Sequence, residues 1–270
     1  MGAHRIDETG LFVMARHSTV AALSDFRPET ITLNEREVRV QLAAAYRIFD
    51  YLGWTQLIYG HITARLPGPE HQFLINPFGL MYHEITASNL VTVDLDGNII
   101  GDSPYQVNPA GFTIHSAVHG VREDVCCVMH SHTTAGMAVA ASTTGIKCHD
   151  FAGISLHDRV AYHEFEGVSV DLDERNRLSK NLGDKNAMIL RNHGLLSCGR
   201  TIAEAFRYLY ALETACQVQI MAQSSGQILT SPSYQVREKH ARTLEDADNG
   251  ELAFSALVRL MDQRDPSFRN

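Results

Sequence analysis

Two histidines separated by one residue, His130 and His132, stand in the apolar run Val128-Met129-His130-Ser131-His132. Side chains alternate along a β-strand, so both imidazoles project from one face and form a ready chelate. Two imidazoles leave a divalent ion under-coordinated, and a third ligand must arrive from elsewhere in the fold. His193 is the best placed. It sits in Arg191-Asn192-His193-Gly194 between two apolar runs, where Gly194 is expected to reverse the backbone and push the ring into a site. Spacing alone leaves the other reading open, because an H-x-H pair at a strand end also occurs as surface or hydrogen-bonded histidine, and Asn-His-Gly suits an ordinary turn.

Other groups could join such a site. His61, at the end of a strand-like segment, either reaches the pocket or is a hydrogen-bonded structural histidine. Tyr162, in Val160-Ala161-Tyr162-His163, either donates a proton to a developing alkoxide or is a half-buried strand tyrosine. Arg65 and Arg191 could hold a substrate carboxylate, but each flanks an apolar strand and is expected rather to pair with a structural acid. His149, His157 and His163 read as surface or interface residues, and the acidic run Asp171 to Glu174 as a solvated helix start.

The elements that must position these groups follow from periodicity. Residues 1–33 show no sustained pattern and read as an N-terminal arm. Asn34 with Glu37 makes a capping-box start, followed by Val38, Leu42, Ala45, Tyr46, Phe49 and Leu52 at helical spacing, and Gly53 ends the run. Strand-like pieces cover 61–66, 72–76 and 90–100, the last folded as a hairpin at Asp96-Gly97. Asn108-Pro109 opens a helix carrying Phe112, His115, Val118 and His119. A strand over 124–132 and a helix over about 134–142 come next, then a short helix over 173–181 stopped by Gly183. Strands at 187–190 and 195–198 flank the second histidine motif, and Thr201 with Glu204 caps a long helix to about Gln223. Two polar-faced helices fill 236–261. No repeat or linker divides the chain, so residues 34–225 form one α/β domain and 226–270 a C-terminal helical extension.

Composition sets the class of partner. The chain has 270 residues, 14 of them histidine, and a formal charge of -8. That balance argues against nucleic acid and anionic lipid and favours small molecules or further copies of the chain. Five cysteines without a C-x-x-C spacing are neither a disulfide framework nor a cysteine zinc site, which suits buried thiols in a reducing cytoplasm. Residues 125–146 lack Asp, Glu, Lys and Arg, but their histidines and threonines argue against a membrane span.

Taken together, His130-Ser131-His132-Thr133 and Leu190-Arg191-Asn192-His193-Gly194-Leu195 resemble the class II aldolase/adducin family. So do Gly60-His61-Ile62-Thr63-Ala64-Arg65, Ile75-Asn76-Pro77-Phe78-Gly79, Glu84-Ile85-Thr86-Ala87-Ser88, Asn108-Pro109-Ala110-Gly111-Phe112 and Ala161-Tyr162-His163. The match runs in order over roughly 35–225 and is nearest to the adducin-like bacterial branch. The resemblance implies a three-layer α/β/α sandwich around a mixed, largely antiparallel sheet, commonly as a homotetramer. It also implies one divalent ion, Fe2+ or Zn2+, on His130, His132 and His193, and a substrate-binding role for His61, Asn76, Phe78 and Gly79.

The sequence departs from the sugar-phosphate aldolases of that family at two points. Their Ser-Ser-Glu segment corresponds to Pro109, Ala110 and Gly111, so the acid/base carboxylate is absent. Their Thr-Pro-Thr-Gly phosphate loop corresponds to Asn76-Pro77-Phe78-Gly79, which has lost the hydroxyl donors a phosphate dianion requires. The expectation is a metal-dependent lyase or decarboxylase acting on a small, non-phosphorylated 2-oxo or 2-hydroxy carboxylic acid. An Fe(II) oxygenase version resembles family members of aminocoumarin antibiotic pathways, proposed to act oxidatively on an aryl 2-oxo acid. The rival expectations are a zinc retro-aldolase on a sugar-derived substrate and a non-enzymatic adducin-like assembly module.

Overall fold

A computed structural model describes residues 34–68, 70–147, 149–167 and 173–270, without the side chains of 109 and 110. The expected N-terminal arm, Asp171 and Cys148 lie outside the described residues. Helix α1 spans Glu35–Leu52, its capping box formed by Asn34 and Glu37 and its end set by Gly53 in the left-handed region at φ 71°. The site-bearing strands are β1 (His61–Arg65), β2 (Phe73–Ile75), β3 (Val91–Val93), β4 (Cys127–Ser131), β5 (Val160–His163), β6 (Ala187–Leu190) and β7 (Gly194–Gly199). Between and after them lie α2 (Pro109–His119), α3 (Thr134–Ala140), α4 (Phe151–Ser155), α5 (Glu174–Leu182), α6 (Ile202–Ser224), α7 (Tyr234–Ala247) and α8 (Glu251–Arg264).

The sheet runs β3-β2-β1-β4-β7-β6-β5, and only β5 with β6 is parallel. Alternation along the strands gives each face its own core. Ile62, Ala64, Cys127, Met129, Ile189 and Leu195 pack against α1, α3, α6 and α8. Val128, Met188, Leu190, Leu196 and Cys198 face Ile114, Ala117 and Val118 of α2 and Leu178 and Leu182 of α5. Helices thus cover both faces, the three-layer mixed α/β arrangement expected from the sequence.

The expected hairpin over 90–100 forms: β3 meets its returning arm through the Val93–Ile99 bridge, with Asp94 N donating to Asn98 O and Ile100 N to Thr92 O, and the Asp94 carboxylate tightens the turn by accepting from the backbone N–H groups of Asp96 and Asn98. Thr201 caps α6 by accepting from Glu204 N, but the Glu204 carboxylate turns to Arg200, so the box is half made. In the C-terminal helical residues, Phe254, Met261 and Phe268 belong to the core of α1 and α6, and Ala87 N donates to Phe268 O over 2.8 Å.

Candidate metal centre

The strand ladder brings the histidines together. His61 opens β1 directly opposite His130 on β4, and β4 pairs along its other edge with β7, which starts one residue after His193. His130, His132 and His193 have ligand nitrogens all within 4.8 Å of one another. Their ring centroids lie 4.5 Å (130 to 132), 4.7 Å (130 to 193) and 4.8 Å (132 to 193) apart. Among the described residues no other set of three His, Cys, Asp or Glu groups is brought together in this way.

Hydrogen bonds fix which nitrogen each ring presents. His130 Nδ1 lies 2.8 Å from Leu195 O, a carbonyl that can only accept, so Nδ1 carries the proton and Nε2 the lone pair. His132 Nδ1 likewise meets Gln56 Oε1 at 2.8 Å. The two Nε2 atoms then face each other at 2.7 Å. Two acceptor nitrogens at that distance repel unless they share a proton or both ligate a metal ion, and a proton there would turn one ring into an imidazolium. Burial first, then the charges of His193 and His132, holds His130 well below the ordinary imidazole value, and burial lowers His132 as well. Burial, reinforced by His132, pushes His193 down to about 4. Neutral imidazole is therefore the resting state, and a divalent ion fits the donor set. All-nitrogen ligands suit Fe2+ or Zn2+ and not Mg2+ or Ca2+, which take oxygen.

The turn that delivers His193 differs from expectation. Asn192, not Gly194, takes the left-handed backbone, at φ 54°. Gly194 serves close approach instead: a Cβ there would press into Ser131 O and stand 3.1 Å from His132 Cδ2. Glycine is the residue that lets β7 lie this near the His-x-His strand.

Gln56 was not singled out from sequence. After Gly53, the lone tryptophan, Trp54, buries its ring on Phe49 and Phe206, and this anchors the loop that presents Gln56. Behind His132, the Thr133 hydroxyl donates to the buried Glu213 carboxyl on α6, whose other oxygen accepts from Gln217. Burial raises Glu213 above the usual carboxylate value. A third unforeseen feature is a buried histidine column: Thr63 Oγ1 lies 2.8 Å from both His115 Nδ1 and His119 Nε2. Its signal in the sequence was the i, i+4 pair on α2 facing a hydroxyl two residues beyond His61.

His61 is 4% exposed, with its ring 5.3 Å from that of His130 and 4.2 Å from that of His115. The remaining expected site residues are engaged elsewhere or stand apart. Tyr162 packs against the α1/α6 core, with its hydroxyl accepting from Ile146 N at 3.1 Å and Arg191 over its ring. Asn76 is buried beside the Tyr46 hydroxyl, 2.9 Å from its Oδ1. Phe78 is exposed and Gly79 holds φ 104° with open space around it. Three further readings are corrected. His157 and His163 are buried, His163 between Glu174 and Asn181, and Glu174 is itself buried. Arg65 meets the carbonyls of Val125 and His119 instead of an acid. Arg191 does meet an acid, Glu164 at 3.9 Å, and also donates to Ser142 O at 2.6 Å.

A mixed seven-stranded sheet covered on both faces, with three histidines meeting where β4 and β6 end and β7 begins, is an α/β architecture with a candidate metal centre. The family model for the Class II Aldolase and Adducin N-terminal domain matches residues 40–220, and the chain belongs to that family. An aldolase II superfamily protein from Pseudomonas syringae is 45% identical, with a TM-score of 0.84 over 89% of this chain and 98% of that one. An L-fuculose 1-phosphate aldolase from Glaciozyma antarctica is 31% identical, with a TM-score of 0.79 over 87% of this chain and 93% of that one. Alpha-adducin of Mus musculus is 43% identical over 245 residues, which is 84% of this chain and 33% of adducin. The chain thus spans about a third of that protein's length. Among the described residues no helix is long and apolar enough to cross a membrane.

Proposed function

We propose that His130, His132 and His193 hold one Fe2+ or Zn2+ ion and that the chain is a metal-dependent lyase or decarboxylase acting on a small, non-phosphorylated 2-oxo or 2-hydroxy acid. The observation that carries this reading is the pair of Nε2 atoms facing at 2.7 Å, each with its other ring nitrogen committed as a donor. Such an ion supplies a Lewis acid for a 2-oxo carbonyl and for the negative charge that develops as a carbon–carbon bond breaks. The residues do the rest. Leu195 O and Gln56 fix ring tautomers and orientation, and the neutral histidines leave the ion its full charge. The loop at 76–79 supports a non-phosphorylated substrate, since Phe78 presents a phenyl ring and the Asn76 side chain lies against Tyr46. A soluble cytoplasmic homotetramer, with residues 34–225 as the metal-binding domain, accords with this reading.

Turnover tests it. Protein loaded separately with Fe(II) and Zn(II) is offered 2-oxo and 2-hydroxy acids, aliphatic and aryl, while carbon dioxide release and oxygen uptake are followed. Carbon dioxide or an aldehyde product supports the proposal, with oxygen uptake under iron selecting the oxidative version. Turnover of sugar phosphates alone would instead favour the retro-aldolase reading, which the 31% identity to a fuculose-phosphate aldolase supports. The adducin likeness supports an assembly role, against which stands the retention of all three histidines.

A further inference from the structure

His193 differs from the other two candidate ligands in how it is held. His130 and His132 each have one ring nitrogen fixed by a hydrogen bond, to Leu195 O and to Gln56, whereas neither ring nitrogen of His193 has such a bond among the described residues. The position of its imidazole therefore follows from the backbone turn that carries it, and that turn is tied to α3. Asn192 N donates to Ala140 O over 3.1 Å, and Arg191 Nη1 donates to Ser142 O over 2.6 Å. Ala140 closes α3 and Ser142 lies two residues further on, where carbonyls have left the intrahelical ladder and an arginine can take them up. At its other end α3 is capped by Thr133, the residue after His132. One helix of seven residues thus joins His132 to the His193 turn.

Arg191 makes the most ties of the residues in that turn. Its backbone N–H donates to His163 O over 2.8 Å, its guanidinium lies 4.4 Å over the Tyr162 ring, and Glu164 stands 3.9 Å from its Nε. Tyr162 is in turn held by Ile146 N. A planar guanidinium that stacks on a ring and donates along its edge is pinned in orientation, as a flexible ammonium is not.

We propose that Arg191 is the positioning residue for the third ligand: by clamping the turn onto the end of α3 and the Tyr162 ring, it sets where the His193 imidazole stands relative to His130 and His132. The proposal rests on the metal-centre reading above and deepens it by naming what replaces the ring hydrogen bond that His193 lacks. Arg191 and Tyr162 then share one role, distinct from the carboxylate holder and the proton donor weighed for them from sequence.

Cobalt(II) titrations in competition with a chelator, together with the visible spectrum of the bound ion, test this. Arg191→Met keeps the length of the side chain over Tyr162 but has neither donor nor charge. It is expected to weaken cobalt binding by roughly tenfold, the lower end of what loss of a ligand-orienting group costs, and to shift the visible bands as the third imidazole withdraws. Arg191→Lys, which still carries a donor for Ser142 O, should return most of the affinity and the wild-type bands. Arg47→Met removes a part-buried arginine that binds Ile85 O and Asp265 instead of any group at the centre, and it should lower the thermal midpoint while leaving cobalt affinity and spectrum unchanged. Wild-type affinity and bands in Arg191→Met, no recovery in Arg191→Lys, or an equal loss in Arg47→Met would overturn the proposal. If Arg191→Met does not fold, Tyr162→Leu, which takes away the ring beneath the guanidinium, carries the test: weakened binding with shifted bands is expected, and wild-type binding overturns the proposal. A wild-type chain that takes no cobalt contradicts the metal-centre reading itself, and this proposal falls with it.

Discussion

Gln56 and His132 are 76 residues apart in sequence and share a 2.8 Å hydrogen bond that leaves the His132 Nε2 lone pair facing His130. Replacing Gln56 by Ala frees the ring to rotate and removes the preference for one tautomer. Loss of such an orienting partner typically weakens metal affinity by about 10–100-fold. A competition titration against a chelator should show this with the fold intact, and an unchanged affinity would mean that Gln56 plays no part in holding the ligand.

Gly194 and Asn192 make opposite demands on substitution. Gly194→Ala places a methyl group against Ser131 O and the His132 ring, so it should lower stability by about 1–3 kcal/mol and deplete bound metal. Asn192→Gly, at φ 54°, should be nearly neutral, whereas Asn192→Val should destabilise. Thermal melts with metal content decide; a stable, fully loaded Gly194→Ala protein would contradict the close-approach account.

Thr133→Val strips the buried Glu213 carboxyl of its hydroxyl partner and the start of α3 of its cap. The expected cost is about 1–3 kcal/mol in urea unfolding, with Thr133→Ser largely restoring stability. Equal stability of all three proteins would show that the Thr133–Glu213 bond is energetically idle.

His119 makes the stability of the metal-free protein depend on pH. Burial first, then the neighbouring Arg65 charge, pushes its ring down to about 3. The unfolded chain takes up that proton near pH 6.5, the folded chain only near the lowered value. Folding stability is therefore full above pH 6.5 and declines as pH falls towards 3. The thermal midpoint should drop between pH 7 and 4, and drop less in His119→Leu, in which Thr63 keeps His115 as partner. Parallel curves for the two proteins would contradict this.

Much of the centre was legible because its signals are local. The period of two in His130-Ser131-His132 and the turn around His193 mark candidate ligands, which the family resemblance joins into one set and the fold brings together, and the caps at Asn34 and Gly53 mark α1 locally. What escaped depends on tertiary contact. Nothing in Thr55-Gln56 foretells a partner just beyond β4, and Glu213 reads as one more helical acid until α6 buries it against Thr133. His157 and His163 look like surface residues because burying a histidine is worthwhile only when its neighbours satisfy or shelter it. For His163, Asn181 and Glu174 do so from another element. Gly194 was recognised as necessary for the wrong reason, since sequence shows a glycine but not whether it serves a torsion or a contact.

The central claim is that three neutral histidines hold a divalent ion. Elemental analysis of the purified chain, wild type beside His132→Ala, tests it most directly. The account predicts iron or zinc near one ion per wild-type chain and strong depletion in the variant. A wild-type chain that stays metal-free after reconstitution, or a variant that retains the ion in full, would contradict it.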